Sequence, residues 1–130
     1  VPALMVRFIE AVEKKLDEVS LWGDGSPTRD FLFIEDAAQA ISQSLDSDSV
    51  MPINIGSGRE TSIKELAETM KELVKGDFEI KWDTSKPNGQ PRRVLDISKA
   101  QKEIEFNPKY SLREGLEKTI NWYKENLLKN

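Results

Sequence analysis

The sequence of 130 residues contains no cysteine and no histidine. Without cysteine the chain can form neither a disulfide bond nor a thiolate metal site, and this composition fits a reducing, cytoplasmic setting. Because it has no histidine, the chain lacks the usual ligand of a zinc site and the imidazole of a histidine-based catalytic pair. The net charge of −4 argues against nonspecific nucleic-acid binding, because such a chain repels phosphates. We therefore expect no metal, no nucleic acid and no cysteine or histidine chemistry.

Long apolar runs are missing too. No run approaches the roughly 20 apolar residues that cross a bilayer, and no signal peptide is visible. The length predicts a single domain over residues 1–130. The chain starts with Val1-Pro2 inside an apolar-periodic segment, and it has no initiator methionine. We interpret the chain as a fragment of a larger protein with a cut or processed N-terminus.

Apolar residues recur at helical spacing in several segments, and short apolar runs stand between them. These patterns predict helices over 2–16, 35–45, 63–74, 98–105 and 111–127, and strands over 19–22, 51–55 and 78–82. In the second helix the predicted buried face is Ala37, Ala38, Ile41 and Leu45. The sequence thus predicts a small α/β layer whose few short strands need a partner surface.

Two helix starts carry a capping-box pattern, in which a serine is followed by a glutamate three residues later. The pairs are Ser62 with Glu65 and Ser111 with Glu114. Gly76 is expected to end the first of these two helices. Trp82 and Trp122 lie in periodic segments, so both are predicted to be packing residues.

The first candidate site is the turn over residues 22–31, which holds two glycines, a proline and an arginine. Arg29 offers a planar fork that binds phosphate through two hydrogen bonds, and Trp22 is placed to line a ligand pocket. The alternative is an ordinary surface hairpin in which Arg29 pairs with Asp24 or Asp30.

The second candidate is the polar loop over residues 83–93, which has no bulky apolar residue. Its candidate binding residues are Lys86, Asn88, Arg92 and Arg93, since cations suit a diphosphate and amides can bind the edges of a base or sugar. Ordered loops of this length are usually functional. The alternative is a solvated linker.

The third candidate is Gly56-Ser57-Gly58, ahead of a predicted helix, where glycines could cradle a phosphate. The coenzyme fingerprint G-x-G-x-x-G requires a third glycine, and this chain has Thr61 at that position. A structural turn that needs permissive glycines is therefore the favoured interpretation.

Taken in order, these segments resemble the C-terminal region of the NAD(P)-dependent epimerase/dehydratase family, the extended short-chain dehydrogenases. The motifs that carry the resemblance are Val1-Pro2-Ala3-Leu4, residues 21–31, 54–58, 85–93 with Asp96, 111–116, and Trp122-Tyr123. Within the family, the W-G-x-G-x-P-x-R and S-K-P-x-G-x-P-R-[KR] patterns are most similar to the GDP-L-fucose synthases. UDP-sugar 4-epimerases share the first pattern more loosely.

The resemblance implies a nucleotide-diphosphate sugar as ligand, with a GDP-sugar favoured. Arg29 would pair with the diphosphate, and Trp22 would line the same pocket. Arg93 stands where those synthases have a basic residue in contact with the substrate, while Lys86, Asn88 and Arg92 belong to the same loop. The resemblance also implies a parent enzyme that epimerises and reduces a keto sugar with NADP or NAD.

The departures from the family concern catalysis. No glycine-rich Rossmann turn is present, and four residues after Tyr110 and Tyr123 stand Glu114 and Leu127, so neither forms the Tyr-x-x-x-Lys pair. We therefore expect no catalytic residue, no bound coenzyme and no turnover from this chain alone. Two alternatives stay open: a non-catalytic nucleotide-sugar-binding module, and an interaction domain that packs on a separate Rossmann subunit. Exposed apolar surface predicts some self-association.

Overall fold

A computed structural model describes residues 1–126 and confirms the α/β class. Its helices are α1 Pro2–Glu13, α2 Ile34–Ser44, α3 Ile63–Val74, α4 Ser98–Glu103 and α5 Leu112–Asn126. Its strands are β1 Glu18–Trp22, β2 Thr28–Arg29, β3 Thr61–Ser62, β4 Glu79–Asp83 and β5 Arg92–Arg93. The predicted continuation of the last helix to Leu127 lies outside the described residues.

The strands form two small sheets. In the first, β1 runs parallel to β4, with Val19 opposite Ile80 and Leu21 opposite Trp82. In the second, β2 lies in the centre, antiparallel to β3 and parallel to β5. The glycine-rich turn joins the end of β1 to the start of β2, and the polar loop joins the end of β4 to the start of β5. Because β1 pairs with β4 and β2 pairs with β5, the turn and the loop lie side by side.

The main core lies between β1, β4 and the helices α1, α3 and α5. Its centre is an edge-to-face pair of Phe8 and Phe78, with 4.9 Å between the ring centroids. Met70 is fully buried beside them. The helical periodicity of α1 and α3 predicts this core because residues three and four positions apart share one helix face.

Side-chain caps begin two of the helices as the sequence predicts. At α3 the amide of Glu65 donates to the Ser62 hydroxyl at 3.0 Å. At α5 the amide of Ser111 donates to the Glu114 carboxylate at 2.8 Å. These bonds satisfy backbone donors that have no partner inside the helix.

The end of α3 differs in detail from its prediction. The left-handed residue is Lys75, with φ 58°, one position before the expected Gly76. The amide of Gly76 then donates to the carbonyl of Lys71 at 2.9 Å, which closes the helix.

Two predictions around α2 are wrong. The helix buries Asp36 and Ala40, whereas Ile41 and Leu45 of the predicted buried face are 59% and 81% exposed. Residues 51–55 do not form a strand, because none of the strands described above lies alongside them to pair with their backbone groups. Ile53 and Ile55 pack instead on a small second cluster of Ala40, Ala100, Ile104, Phe106 and Leu32.

Of the two tryptophans predicted to be packing residues, Trp82 packs on the core and Trp122 does not. Trp82 is half-buried against the main core and covers Gly25, where a Cβ would lie only 2.7 Å from the indole ring. Trp122 is 58% exposed, so its prediction is wrong. It follows the buried Ile120 by two positions, and residues two apart on a helix point to different sides.

Candidate functional site

The three-stranded sheet brings three of the predicted arginines together. On β2 and β5, Thr28 lies opposite Arg92 and Arg29 lies opposite Arg93. The amide of Thr28 donates to the carbonyl of Pro91 at 2.9 Å, which extends this pairing into the polar loop. The turn and the loop, 60 residues apart in sequence, therefore form one surface.

Arg29 is half-buried, and the backbone fixes its guanidinium from one side. Its Nη1 donates to the carbonyl of Thr28 at 2.6 Å and to that of Gln90 at 2.8 Å. Within residues 1–126, its Nε and Nη2 have no hydrogen-bond acceptor. The guanidinium is thus held in place by neutral carbonyls and keeps donors and its full charge for an anionic ligand.

The alternative in which Arg29 pairs with Asp24 or Asp30 does not apply, because its guanidinium forms no ion pair with another described residue. Asp24 accepts the amide of Ser26 at 2.8 Å, and Asp30 is bound by the glycine turn. The Asp30 carboxylate accepts from the Ser57 amide at 2.7 Å, the Ser57 hydroxyl at 2.6 Å and the Gly58 amide at 3.1 Å. A Cβ on Gly56 would lie 2.7 Å from the same carboxylate. The glycine turn therefore binds a protein carboxylate, which confirms its structural role.

The polar loop is tied to the turn by Asn88. Its side-chain oxygen accepts the amide of Asp24 at 2.8 Å. It also lies directly over Gly23, whose φ is 79° and whose Cβ, if present, would stand 2.1 Å from this oxygen. Hydrogen bonds from Ser26, and then from Asn88, lower the pKa of the Asp24 carboxyl. These contacts do not fit a freely solvated linker.

Trp22 and Lys86 form an open edge of the same surface. The indole ring is 69% exposed, and the Lys86 ammonium lies 6.0 Å from its ring centroid. An ammonium over an indole face at this distance is weakly attracted to it. The pair therefore presents a flat apolar ring and a cation next to the turn.

The two arginines of β5 differ. The Nε of Arg92 donates to both carboxylate oxygens of Glu60, at 3.0 and 3.1 Å. The Thr28 hydroxyl donates to the same carboxylate at 2.8 Å, and the bonds from Thr28 and then Arg92 lower the pKa of Glu60. The side chain of Arg93 is exposed and makes no hydrogen bond or ion pair to another described residue.

Sequence reasoning identified the arginines and missed the carboxylates that organise them. Glu60 lies outside every candidate motif, although its position two residues before Ser62 puts both on one side of an extended segment. Asp36 was missed as well. It is almost fully buried and accepts the backbone amides of Lys109 at 3.0 Å and Tyr110 at 3.1 Å. Lone aspartates carry no sequence pattern that would reveal such partners.

An apolar groove lies on another part of the surface, between α5 and residues 30–34. It consists of two adjoining hollows of about 410 and 470 Å³, and exposed Ile34 and Trp122 are among its lining residues. Tyr110, Glu35 and Lys118 form a hydrogen-bonded cluster at its rim. None of the predicted site residues lines this groove.

Two kinds of feature are absent from the described part of the chain. In residues 1–126, no helix has the length and apolar character needed to cross a membrane. In the same residues, no group of three or more histidine, cysteine, aspartate or glutamate side chains could hold a metal ion.

Known proteins are similar to this chain in sequence. The family model described as GDP-mannose 4,6 dehydratase matches residues 1–119. A probable GDP-L-fucose synthase 1 from Oryza sativa subsp. japonica is 47% identical over 98% of this chain. That match covers 39% of the rice protein, so the chain spans about two fifths of this relative's length.

Solved structures share the fold. A GDP-L-fucose synthetase from Naegleria fowleri bound to NADP matches with a TM-score of 0.86 and 26% identity, over 96% of this chain and 40% of that one. A UDP-glucose 4-epimerase from Thermotoga maritima, solved with UDP-glucose, matches with a TM-score of 0.81 and 29% identity, over 95% of this chain and 40% of that one. In both structures more than half of the protein has no counterpart in this chain.

Proposed function

Because this chain belongs to the GDP-mannose 4,6 dehydratase family of NAD(P)-dependent epimerases and reductases, we propose that it binds the diphosphate of a nucleotide sugar at Arg29. A GDP-sugar is the favoured ligand, since the GDP-L-fucose synthases are such close relatives in sequence. The reaction proposed for the longer parent is epimerisation and reduction of a GDP-linked keto sugar.

The observation that carries this proposal is the environment of Arg29. Two backbone carbonyls hold its Nη1, and no carboxylate of the described chain neutralises it. An arginine fixed in this way loses little side-chain entropy when it binds, and two of its nitrogens can still donate to phosphate oxygens. Arg92, by contrast, is paired with the carboxylate of Glu60.

The other predicted site residues take different parts in this proposal. Arg93 lies opposite Arg29 in the sheet and adds a second unpaired cation for the diphosphate. Trp22 and Lys86 form the wall beside the turn. Asn88 holds the loop against Asp24, and its part is to shape the pocket. The Nε of Arg92 donates to Glu60, so Arg92 is the least suited of these residues to bind the ligand.

Catalysis is proposed for the longer parent alone. The relatives are about two and a half times as long as the segment they share with this chain, and NADP is bound in the Naegleria structure. We propose that NADP or NAD binds to the remaining part of such a parent, and that this chain by itself gives no turnover. Formation of product from NADPH and a GDP-linked keto sugar by the isolated chain would contradict this.

We further propose that the coenzyme-binding half of the parent covers the apolar side of α2. This side carries Ile41 and Leu45, and the segment that follows in the chain adds Val50 and Met51; all four side chains are strongly exposed. Monomeric proteins rarely expose so many neighbouring apolar side chains. A reducing, cytoplasmic location for the parent, which the lack of cysteine fits, stays a prediction.

A UDP-sugar is the second candidate ligand, because the Thermotoga 4-epimerase of similar fold was solved with UDP-glucose. The diphosphate contacts proposed for Arg29 and Arg93 would be the same for either nucleotide. The base is the part that differs, so only direct comparison of nucleotides separates the two ligands.

The test is a titration of the chain with GDP, UDP and dTDP, followed by tryptophan fluorescence and thermal shift. We expect saturable binding with a preference for GDP, weakened at least about tenfold by Arg29→Ala, since a charge-assisted hydrogen bond is lost. Arg7→Ala, which removes an exposed arginine from α1, is the matched control and should leave binding unchanged. A preference for UDP or dTDP would change the substrate, and binding of no nucleotide would contradict the proposal for this chain.

A further inference from the structure

The arginines of the three-stranded sheet point to two different faces. Successive side chains in a strand alternate between the faces of a sheet. Arg29 and Arg93 lie opposite each other at one register position, while Thr28 and Arg92 lie opposite each other at the next. The two pairs therefore occupy opposite faces, and among the described residues only Arg92, on the second face, is bound to a carboxylate.

Glu60 connects the strands on the second face. Its carboxylate accepts the Thr28 hydroxyl of β2 at 2.8 Å and the Nε of Arg92 of β5 at 3.0 Å. Glu60 itself immediately precedes β3, whose Ser62 pairs with Thr28. One side chain thus joins all three strands, each of which is only two residues long.

We propose that Glu60 is a positioning residue that sets the register of the loop against β2 and thereby prepares Arg29 and Arg93 for the diphosphate. By holding Arg92, it keeps Pro91 and Gln90 in place, and the carbonyl of Gln90 is one of the two that fix Arg29. Arg92 then acts as the anchor of this link and contacts no ligand. The part of this inference that concerns ligand affinity depends on the proposed function.

If Glu60 only neutralised charge, its removal would change the affinity for an anionic ligand in the opposite direction. If Glu60 only cancelled the charge of Arg92, its removal would free a cation and delete an anion, so an anionic ligand would bind more tightly. If Glu60 positions the loop, its removal loosens the setting of Arg29, and the ligand binds more weakly. The sign of the change in affinity therefore distinguishes the two roles.

The experiment is a GDP titration of Glu60→Ala, Glu60→Gln and the control Glu68→Ala, which removes an exposed carboxylate of α3 that forms no ion pair with another described residue. We expect Glu60→Ala to weaken binding about fivefold relative to Glu68→Ala. Glu60→Gln keeps an acceptor for Thr28 and should fall between Glu60→Ala and the unchanged chain. Binding by Glu60→Ala that equals or exceeds that of the control would overturn the proposal.

A second measurement needs no nucleotide. The amide of Thr28 donates to the carbonyl of Pro91, so its hydrogen exchange reports whether the loop stays docked on β2. We expect roughly tenfold faster exchange in Glu60→Ala than in Glu68→Ala, since loss of a docking contact raises the population of the open loop. Unchanged exchange would refute the positioning role, whereas absence of GDP binding by the unsubstituted chain would refute the proposed function instead.

Discussion

The sheet of β2, β3 and β5 and the outer side of α2 differ in how much of their chemistry is satisfied within the chain. Around the sheet, Glu60, Asp30 and Asn88 each hold identified partners, and Arg29 is fixed by carbonyls. On α2, large apolar side chains face outward without a covering layer in the described residues. The polar surface is thus assembled by this chain alone, and we propose that a partner covers the apolar surface.

The contrast shows that hydrophobic periodicity reports a surface that will be buried, without saying by what. The stripes of α1 and α3 are buried by this chain, and the stripe that contains Ile41 and Leu45 is not. Under our proposal every one of these stripes is buried in the longer parent, because the stripe of Ile41 and Leu45 packs against the coenzyme-binding half.

The largest effect is expected from truncation in the main core. Phe8→Ala removes a fully buried ring that packs on Phe78, and such changes cost about 4 kcal/mol of the free energy of unfolding. The matched change on the exposed stripe, Ile41→Ala, should stay within about 0.5 kcal/mol in the isolated chain. Urea unfolding measures both values. Comparable losses would mean that the α2 stripe is buried in solution.

A smaller effect is expected at the join between α2 and the segment that leads into α5. Asp36→Ala leaves the amides of Lys109 and Tyr110 without the acceptor that the buried carboxylate provides, for a loss of about 2 kcal/mol. Asp36→Asn keeps one acceptor and should lose less. Thermal unfolding against the exposed control Asp46→Ala tests this, and a neutral Asp36→Ala would contradict the hydrogen-bonding role.

The apolar side of α2 should also cause the isolated chain to self-associate. Replacing an exposed leucine with a charged residue, as in Leu45→Lys, should weaken this association about tenfold, because the contact would have to bury the new charge. Lys75→Ala, a surface change outside α2, is the control for light scattering. A chain that stays monomeric at high concentration would contradict an uncovered interaction surface.

The smallest effect is a shift in the titration of Glu60. Hydrogen bonds from Thr28 and Arg92 lower the pKa of this carboxyl. Its contacts therefore stabilise the folded chain at pH values above the ordinary glutamate pKa, and this contribution is lost as the pH falls through the lowered value. Thr28→Val should return the pKa towards its ordinary value in an NMR titration, while Thr28→Ser should preserve the shift. Identical titration of both variants would remove Thr28 as the main cause.

Much of the fold could be predicted because its signals are local. Helical periodicity identified the core helices, and the pairs Ser62–Glu65 and Ser111–Glu114 located two helix starts by their capping chemistry. The strand predicted over 51–55 failed because a strand depends on a neighbour, which no local pattern supplies. Trp122 failed for a related reason, since its side of α5 depends on packing that composition does not reveal.

Only part of the candidate site could be predicted from the sequence. The cationic and amide side chains of the turn and loop could be chosen from the sequence, because their chemistry suits a diphosphate wherever they lie. The pairing of Arg92 with Glu60 and the contact of Arg29 with the Gln90 carbonyl could not, since they join residues 32 and 61 positions apart. These long-range contacts separate an arginine available for a ligand from one that is already engaged.

The most direct test of the central claim is an NMR titration of the chain with GDP, followed by backbone amide shifts. Our account predicts shifts concentrated in residues 22–29 and 84–93, lost in Arg29→Ala, with residues 41–51 of the apolar side unaffected. Shifts centred on residues 41–51, or on the groove beside Trp122, would place the nucleotide elsewhere and contradict the account.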